Sequence, residues 1–230
     1  MSWIEDAKKR AAFEAAKHVE EGFTVGLGTG NTAAYAIKEI GRKIQQRKWK
    51  IVGVPTSHQT LKLAVDSGIP LTTLEEHPQL DLTIDGADQI DKEFNLIKGM
   101  GGALTREKIV ASATKQFIIV ADQTKLSEKL GKDQSLPVEV LPFALPTATP
   151  KIEKLGGQPI LRKGTGKMGP VVTENGNFIV DVDFGPIDSP RELGLQLKSI
   201  PGVIEIGLFI DMADIVYVGK PTGVDKFERE

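Results

Sequence analysis

Short apolar runs, each breaking into glycine, hydroxyl or carboxylate residues and then into a helical pattern, dominate the first half of this chain. Residues 23–27 run into Gly28-Thr29-Gly30-Asn31-Thr32, and residues 50–54 into Pro55-Thr56-Ser57. Residues 80–84 run into Asp85-Gly86-Ala87-Asp88, and residues 117–121 into Asp122. Ala33, Ala36, Ile37, Ile40 and Ile44 recur at helical spacing after the first run, and helices are predicted over 59–67 and 103–113. A strand can return parallel to its predecessor only through a crossover, and crossover helices cover the sheet's faces. The alternation therefore predicts an α/β fold built on a parallel sheet. Upstream, Ser2 and Glu5 have capping-box spacing, which predicts a helix from Trp3 to Glu21, stopped by Gly22.

The pattern changes near residue 135. Pro137, Pro142, Pro146 and Pro150 punctuate the chain. Beyond them the sequence predicts a helix over 151–155, a strand over 158–162 and a hairpin over 171–178 turning at Asn175-Gly176. A strand over 178–184, a helix over 191–198 and strands over 203–209 and 215–218 complete the chain. The expected division is a parallel-sheet domain of residues 1–131 plus 205–230, and a small α+β domain of residues 132–204 with an antiparallel sheet.

Composition removes whole classes of chemistry. The 230 residues include no Cys and three His, at 18, 58 and 77. A disulfide framework, a Cys-ligated metal and a thiolate nucleophile are therefore excluded, and no His pair has metalloprotease spacing. Lys plus Arg is 29 and Asp plus Glu is 31, a net charge of -2 that argues against a nucleic-acid binder. Apolar runs fall far short of the roughly 20 residues of a membrane span, and the first residues lack a signal-peptide pattern. The expectation is a soluble cytoplasmic protein whose proton chemistry rests on carboxylates and lysines.

Ligands of open parallel sheets bind at the carboxyl ends of the strands, so the four polar strand ends are candidate site segments. Gly26 to Thr32 lacks the third glycine of a dinucleotide fingerprint and the lysine of a Walker loop. Two readings fit it: a structural turn, or a helix start that binds a small anion such as phosphate. Asp85 and Asp88 lie three residues apart after a buried strand, as turn residues or as functional acids. Lys98 precedes Gly99-Met100-Gly101-Gly102, whose glycines would let backbone approach a ligand. Glu107 lies one turn into the next helix and faces either the loop or solvent. The three histidines and the basic run Arg42, Lys43, Arg47, Lys48 and Lys50 fit structural or solvated roles.

In this order, Gly26 to Ala33, Val54-Pro55-Thr56-Ser57, Asp85 to Asp88, Lys98 to Lys108 and Ala121 to Lys125 resemble the type A ribose-5-phosphate isomerases. Ile200-Pro201-Gly202-Val203 with Gly207-Leu208-Phe209 extends the likeness. The resemblance implies a Rossmann-like large domain, a ferredoxin-like small domain, and a homodimer or homotetramer. It also implies interconversion of D-ribose 5-phosphate and D-ribulose 5-phosphate without metal or organic cofactor. Glu107 falls on the family's base, and Asp85, Asp88 and Lys98 on its other active-site polar positions. Substrate or phosphate contacts fall on Thr29, Gly30, Asn31, Thr32, Gly86, Ala87, Gly99, Met100, Gly101, Lys125 and Lys8, with Lys9 adjacent to the last. This chain departs from the family pattern at Asn31 (commonly Ser), Met100 (commonly Gly) and Gln89 (commonly Glu). Competing readings are a sugar-phosphate sensor, a coenzyme A transferase relative and, weakest, a nicotinamide dehydrogenase.

Overall fold

The computed structural model describes residues 3–166 and 168–229, so Ser2 of the expected capping box lies outside the described residues. In chain order the first half contains α1 (Trp3–Ala16), β1 (Thr24–Leu27), α2 (Asn31–Arg47), β2 (Val52–Pro55), α3 (His58–Asp66), β3 (Leu82–Gly86), β4 (Gln89–Ile90), β5 (Leu96–Ile97), α4 (Leu104–Ser112) and β6 (Phe117–Asp122). The second half contains β7 (Leu136–Val140), α5 (Leu145–Lys154), β8 (Gln158–Leu161), β9 (Phe178–Asp183), α6 (Pro190–Lys198), β10 (Val203–Ile206), β11 (Leu208–Phe209), β12 (Ile215–Gly219) and β13 (Val224–Glu228).

These elements form two compact units. The first comprises Met1–Ala87, Arg106–Lys125 and Met212–Glu230, and the second Asp88–Thr105 and Leu126–Asp211. The expected boundaries differ from this: residues 88–105, 126–131 and 205–211 belong to the second unit. Strand pairing is the reason. β5 pairs antiparallel with both β4 and β11, and Gln89 Oε1 accepts from Gly131 N at 2.7 Å. Those contacts are long-range in sequence, so no local composition marks them.

The first unit carries a six-stranded sheet of order β13-β12-β6-β3-β1-β2, parallel except for β13. Its parallel strands read 2-1-3-4-5, the doubly wound order whose direction of winding reverses between β1 and β3. All six residues of β6 are buried, as expected for a strand covered on both faces. The core joins Ala11, Ala12 and Ala15 of α1, Ile37 and Ile40 of α2, and Val25, Ile84, Ile118 and Ile215 of the sheet.

α1 ends at Ala16, five residues before the expected Glu21. The amides of Lys17, His18 and Val19 bond carbonyls three residues back, a tightened last turn. Lys43 is buried and its ammonium donates to Ala16 O at 2.6 Å, at the negative end of α1. The basic run is therefore not uniformly a solvated face.

In the second unit β7-α5-β8-β9-α6-β10 has the β-α-β-β-α-β order of ferredoxin-like folds, with an antiparallel sheet of order β10-β7-β9-β8. The prolines punctuate less than expected. Pro137 lies within β7, and α5 begins at Leu145 rather than 151, with Pro146 in its first turn, where no intrahelical N–H is needed. The predicted strand 203–209 is broken at Gly207. Its two halves join different sheets, and a Cβ there would lie 2.3 Å from Lys98 O.

Candidate active site

Each unit holds its own set of the expected residues. In the first, the switch point between β1 and β3 brings the Gly28 turn against Asp85. A Cβ on Gly28 would lie 2.2 Å from Asp85 Oδ1 and 2.5 Å from Asp85 Cα, so the packing of the two strand ends requires glycine. Asp85 is fully buried, and its Oδ1 accepts from Thr29 N at 3.0 Å and Gly86 N at 2.7 Å. Backbone donors to a carboxylate are strong, charge-assisted bonds that fix its plane. Gly86 ends β3 and Ala87 follows it, half-buried.

Thr29 was expected to contact substrate, yet its hydroxyl faces the protein. It bonds Thr56 Oγ1 and Ser57 Oγ at 2.8 Å each, and Thr60 Oγ1 at 3.2 Å. Thr56 and Thr60 in turn donate to the carbonyls of Leu27 and Gly28. The polar end of β2 thus fixes the turn that fixes Asp85. Ser57 also caps α3, accepting from Thr60 N at 3.1 Å.

Gly30 is the N-cap of the 17-residue α2, with φ +117, a region that side chains rarely enter. It offers no side chain to cap the helix, and the first helical bond runs from Ala34 N to Gly30 O at 3.0 Å. The amides of Asn31, Thr32 and Ala33 therefore have no acceptor within the helix, the geometry that favours an anion. Lys8 donates to Glu5 Oε1 at 2.9 Å, while Glu5 Oε2 accepts from Tyr35 of α2 at 2.6 Å. The Tyr35 hydroxyl and then Lys8 hold the Glu5 carboxyl below its ordinary range. Lys9 lies over the Tyr35 ring at 5.5 Å, whereas Lys8 is linked to Tyr35 through Glu5.

Glu107 is buried in the first turn of α4, at 4% exposure, which removes the solvated alternative. Asp122, also buried, accepts from Thr124 N at 3.0 Å and so closes the 3-10 turn Gln123–Lys125. Lys125 is half-buried at the end of that turn.

In the second unit Lys98 is 2% exposed, an unusual depth for a lysine. Its amide donates to Gly207 O at 2.9 Å, and its ammonium sits 5.5 Å from the Phe209 ring centroid. Gly99 has φ +106 and turns the chain into the exposed Met100 and Gly101. Asp88 donates its amide to Ile97 O at 2.8 Å and accepts from Met100 N at 3.0 Å.

Several residues at these segments escaped the sequence reading. Glu139 of β7 is fully buried and accepts from Thr105, Thr173, Asn175 and Asn177. An acid inside the apolar run 136–140 was the signal. Arg162 bonds the carbonyls of Gly99 and Met100 and pairs with Asp181. Nothing local marked that pair. His18 bonds Tyr217 OH at 2.8 Å and His77 bonds Thr72 Oγ1 at 2.7 Å, while His58 is exposed at the start of α3.

Residues 52–223 match the family model of ribose 5-phosphate isomerase A (phosphoriboisomerase A). The chain is 52% identical over 219 residues to ribose-5-phosphate isomerase A of Methanosarcina acetivorans, covering 95% of this chain and 92% of that protein. It is 45% identical over 227 residues to the Thermococcus kodakarensis protein of the same name, covering 98% and 99%. Among solved structures, a D-ribose-5-phosphate isomerase in complex with phospho-erythronic acid superposes with a TM-score of 0.96 at 45% identity, covering 100% of both chains. Ribose 5-phosphate isomerase A of Methanocaldococcus jannaschii superposes at 0.94 with 42% identity, covering 98% and 99%. With the family model matching most of the chain and relatives near half-identical over almost all of it, this chain belongs to the ribose 5-phosphate isomerase A family.

Proposed function

We propose that the chain interconverts D-ribose 5-phosphate and D-ribulose 5-phosphate by proton transfer through an enediolate, a step of the non-oxidative pentose phosphate pathway. The observation that carries this reading is the buried Asp85 carboxylate, pinned by two amides beside the side-chain-free start of α2. In the aldose-to-ketose direction Glu107 removes the proton from C2 while the carbonyl oxygen O1 gains one. The resulting enediol then loses its O2 proton, and as this second enediolate collapses to the C2 carbonyl, C1 receives the proton held by Glu107. Asp85 moves the proton between O1 and O2, and Lys98 stabilises the negative oxygen. Asp88, through Met100 N, orders the loop after Lys98. The α2 amides of Asn31 and Thr32, with Lys8 and Lys125, hold the phosphate, whose remote binding energy fixes the sugar. Thr29 acts here through Asp85, since its hydroxyl is engaged in the protein. Gly30, Gly86, Gly99 and Gly101, with the small Ala87, bring backbone rather than side chain to the substrate, and Met100 contributes through its amide and carbonyl within the loop.

The ligand of the solved relative supports this assignment. Phospho-erythronic acid carries a phosphate and a carboxylate, and the two carboxylate oxygens resemble O1 and O2 of an enediolate. A homodimer or homotetramer in the cytoplasm accords with the family resemblance. Sedimentation at the 24.9 kDa of one chain would overturn the oligomer.

The test is Glu107→Gln, assayed with ribose 5-phosphate in the presence of chelator. The variant should keep the fold and lose at least about 100-fold in turnover. Near-normal turnover in a folded variant sinks the assignment of the base. Binding of ribose 5-phosphate by the wild-type protein with no turnover favours a sensor over an enzyme.

A further inference from the structure

The loop that carries Lys98 is held by a side chain from a distant strand. Arg162 directly follows β8, and its own amide donates to Ile179 O of β9 at 2.9 Å. Its Nη1 donates to Gly99 O and to Met100 O, at 3.0 Å each. Its other nitrogens grip Asp181 of β9: Nε to Oδ2 at 2.8 Å and Nη2 to Oδ1 at 2.5 Å. Nη2 also reaches the Met100 sulfur at 3.8 Å. The pair is sheltered, with side chains 13% and 22% exposed.

These contacts meet those already described. The Met100 residue is held at its N–H by Asp88 and at its carbonyl by Arg162. The Lys98 amide is held by Gly207 O. Gly99, between them, has the positive φ that would otherwise be one of many open to glycine. We infer that Arg162, oriented by Asp181, is a positioning residue that fixes the Lys98-Gly99-Met100 backbone and so aims the Lys98 ammonium. The arrangement needs a planar fork with donors on two sides, one for a carboxylate and one for two carbonyls. A lysine is a point charge and cannot serve both. The Met100 side chain adds only the sulfur contact to Nη2 and is itself exposed.

This inference rests on the proposed role of Lys98, and two kinds of measurement separate them. Arg162→Met should lower kcat about 10- to 100-fold, as misplacement of a catalytic group by about 1 Å does, with KM within about threefold. Arg162→Lys should recover only part of that loss. Hydrogen exchange at the Met100 and Gly101 amides should accelerate at least about tenfold in both variants, while amides in β7 and β9 stay unchanged. If Arg162→Met does not fold, Asp181→Asn carries the test with the same expected directions at smaller size. Unchanged exchange at Met100 in a folded variant overturns the clamp. Accelerated exchange with unchanged kcat also overturns it as a positioning device. If wild-type protein and Arg162→Met alike lack isomerase activity, the functional reading fails, and the exchange experiment alone decides the clamp.

Discussion

Gly28 and Gly99 each stand beside a charged residue of the proposed machinery, and they are glycines for different reasons. Gly28 is a matter of space: any Cβ collides with Asp85 on the neighbouring strand. Gly99 is first a matter of backbone: its φ of +106 turns the loop after Lys98, and an added Cβ would in addition crowd Leu104 Cβ at 2.9 Å, a milder collision than the one at Gly28. The first unit holds its acid by the packing of adjacent parallel strands at a switch point. The second holds its lysine by a loop whose shape is imposed by partners far away in sequence. Rigid packing tolerates no added atom, whereas a clamped loop can shift at a graded cost.

The largest effect should follow Gly28→Ala. Asp85 Cα cannot retreat without moving β3, so turnover should fall at least about 100-fold and stability by about 3 kcal/mol. Steady-state kinetics and urea unfolding measure both, and a fully active Gly28→Ala protein would remove the distinction drawn between the two glycines. Next comes Glu139→Ala, which leaves the donors of Thr105, Thr173, Asn175 and Asn177 without their common acceptor. A loss of about 3 kcal/mol is expected, since each unsatisfied buried polar group costs roughly 1–3 kcal/mol. Glu139→Gln, which keeps acceptor and shape, should lose less. Equal unfolding midpoints for the two variants would contradict the network's role.

Gly99→Ala should be milder than Gly28→Ala, with about 1–3 kcal/mol of backbone strain and a partial loss of kcat. A larger loss than that of Gly28→Ala would reverse the comparison. Ser57→Ala removes the α3 cap and one partner of the Thr29 hydroxyl, for about 1 kcal/mol. The smallest effect is on pH dependence. Burial pushes the His18 pKa below its ordinary 6.5, so the unfolded chain binds the proton more readily. That contribution to stability is present above about pH 6.5 and is lost as pH falls toward the folded value. Thermal unfolding of wild type and His18→Gln between about pH 8 and pH 5.5 should show a shallower acid decline for the variant.

The expected site segments were legible wherever a local rule forces the residue. Strand ends of a parallel sheet must carry glycine and polar groups if anything binds there, and the windows around Gly28, Asp85 and Asp122 show this openly. Glu107 was placed one turn into a helix from spacing alone, and it lies there, buried. The misses have a common cause. The strands β4 and β5 and the antiparallel edge β13 lacked a readable signal, because two-residue strands and short edge strands have no period of their own, while in β7 the turn-type prolines Pro137 and Pro142 hid a strand that is buried throughout. The continuous strand expected over 203–209 was split because Gly207 must pass close to Lys98 O.

Local sequence thus determined the alternation of elements, the α/β class and the chemical cast: carboxylates and lysines in a chain without Cys. Those properties follow from period, turn chemistry and composition, which act over a few residues. Tertiary structure alone decided that the Thr29 hydroxyl meets Thr56, Ser57 and Thr60 while its amide bonds Asp85, that Lys43 closes α1, and that residues 88–105 belong with the second unit. It also decided that Arg162 and Asp181 reach the loop after Lys98. Each of these is a contact between groups distant along the chain, and its partner exists only once the strands have paired and placed both ends.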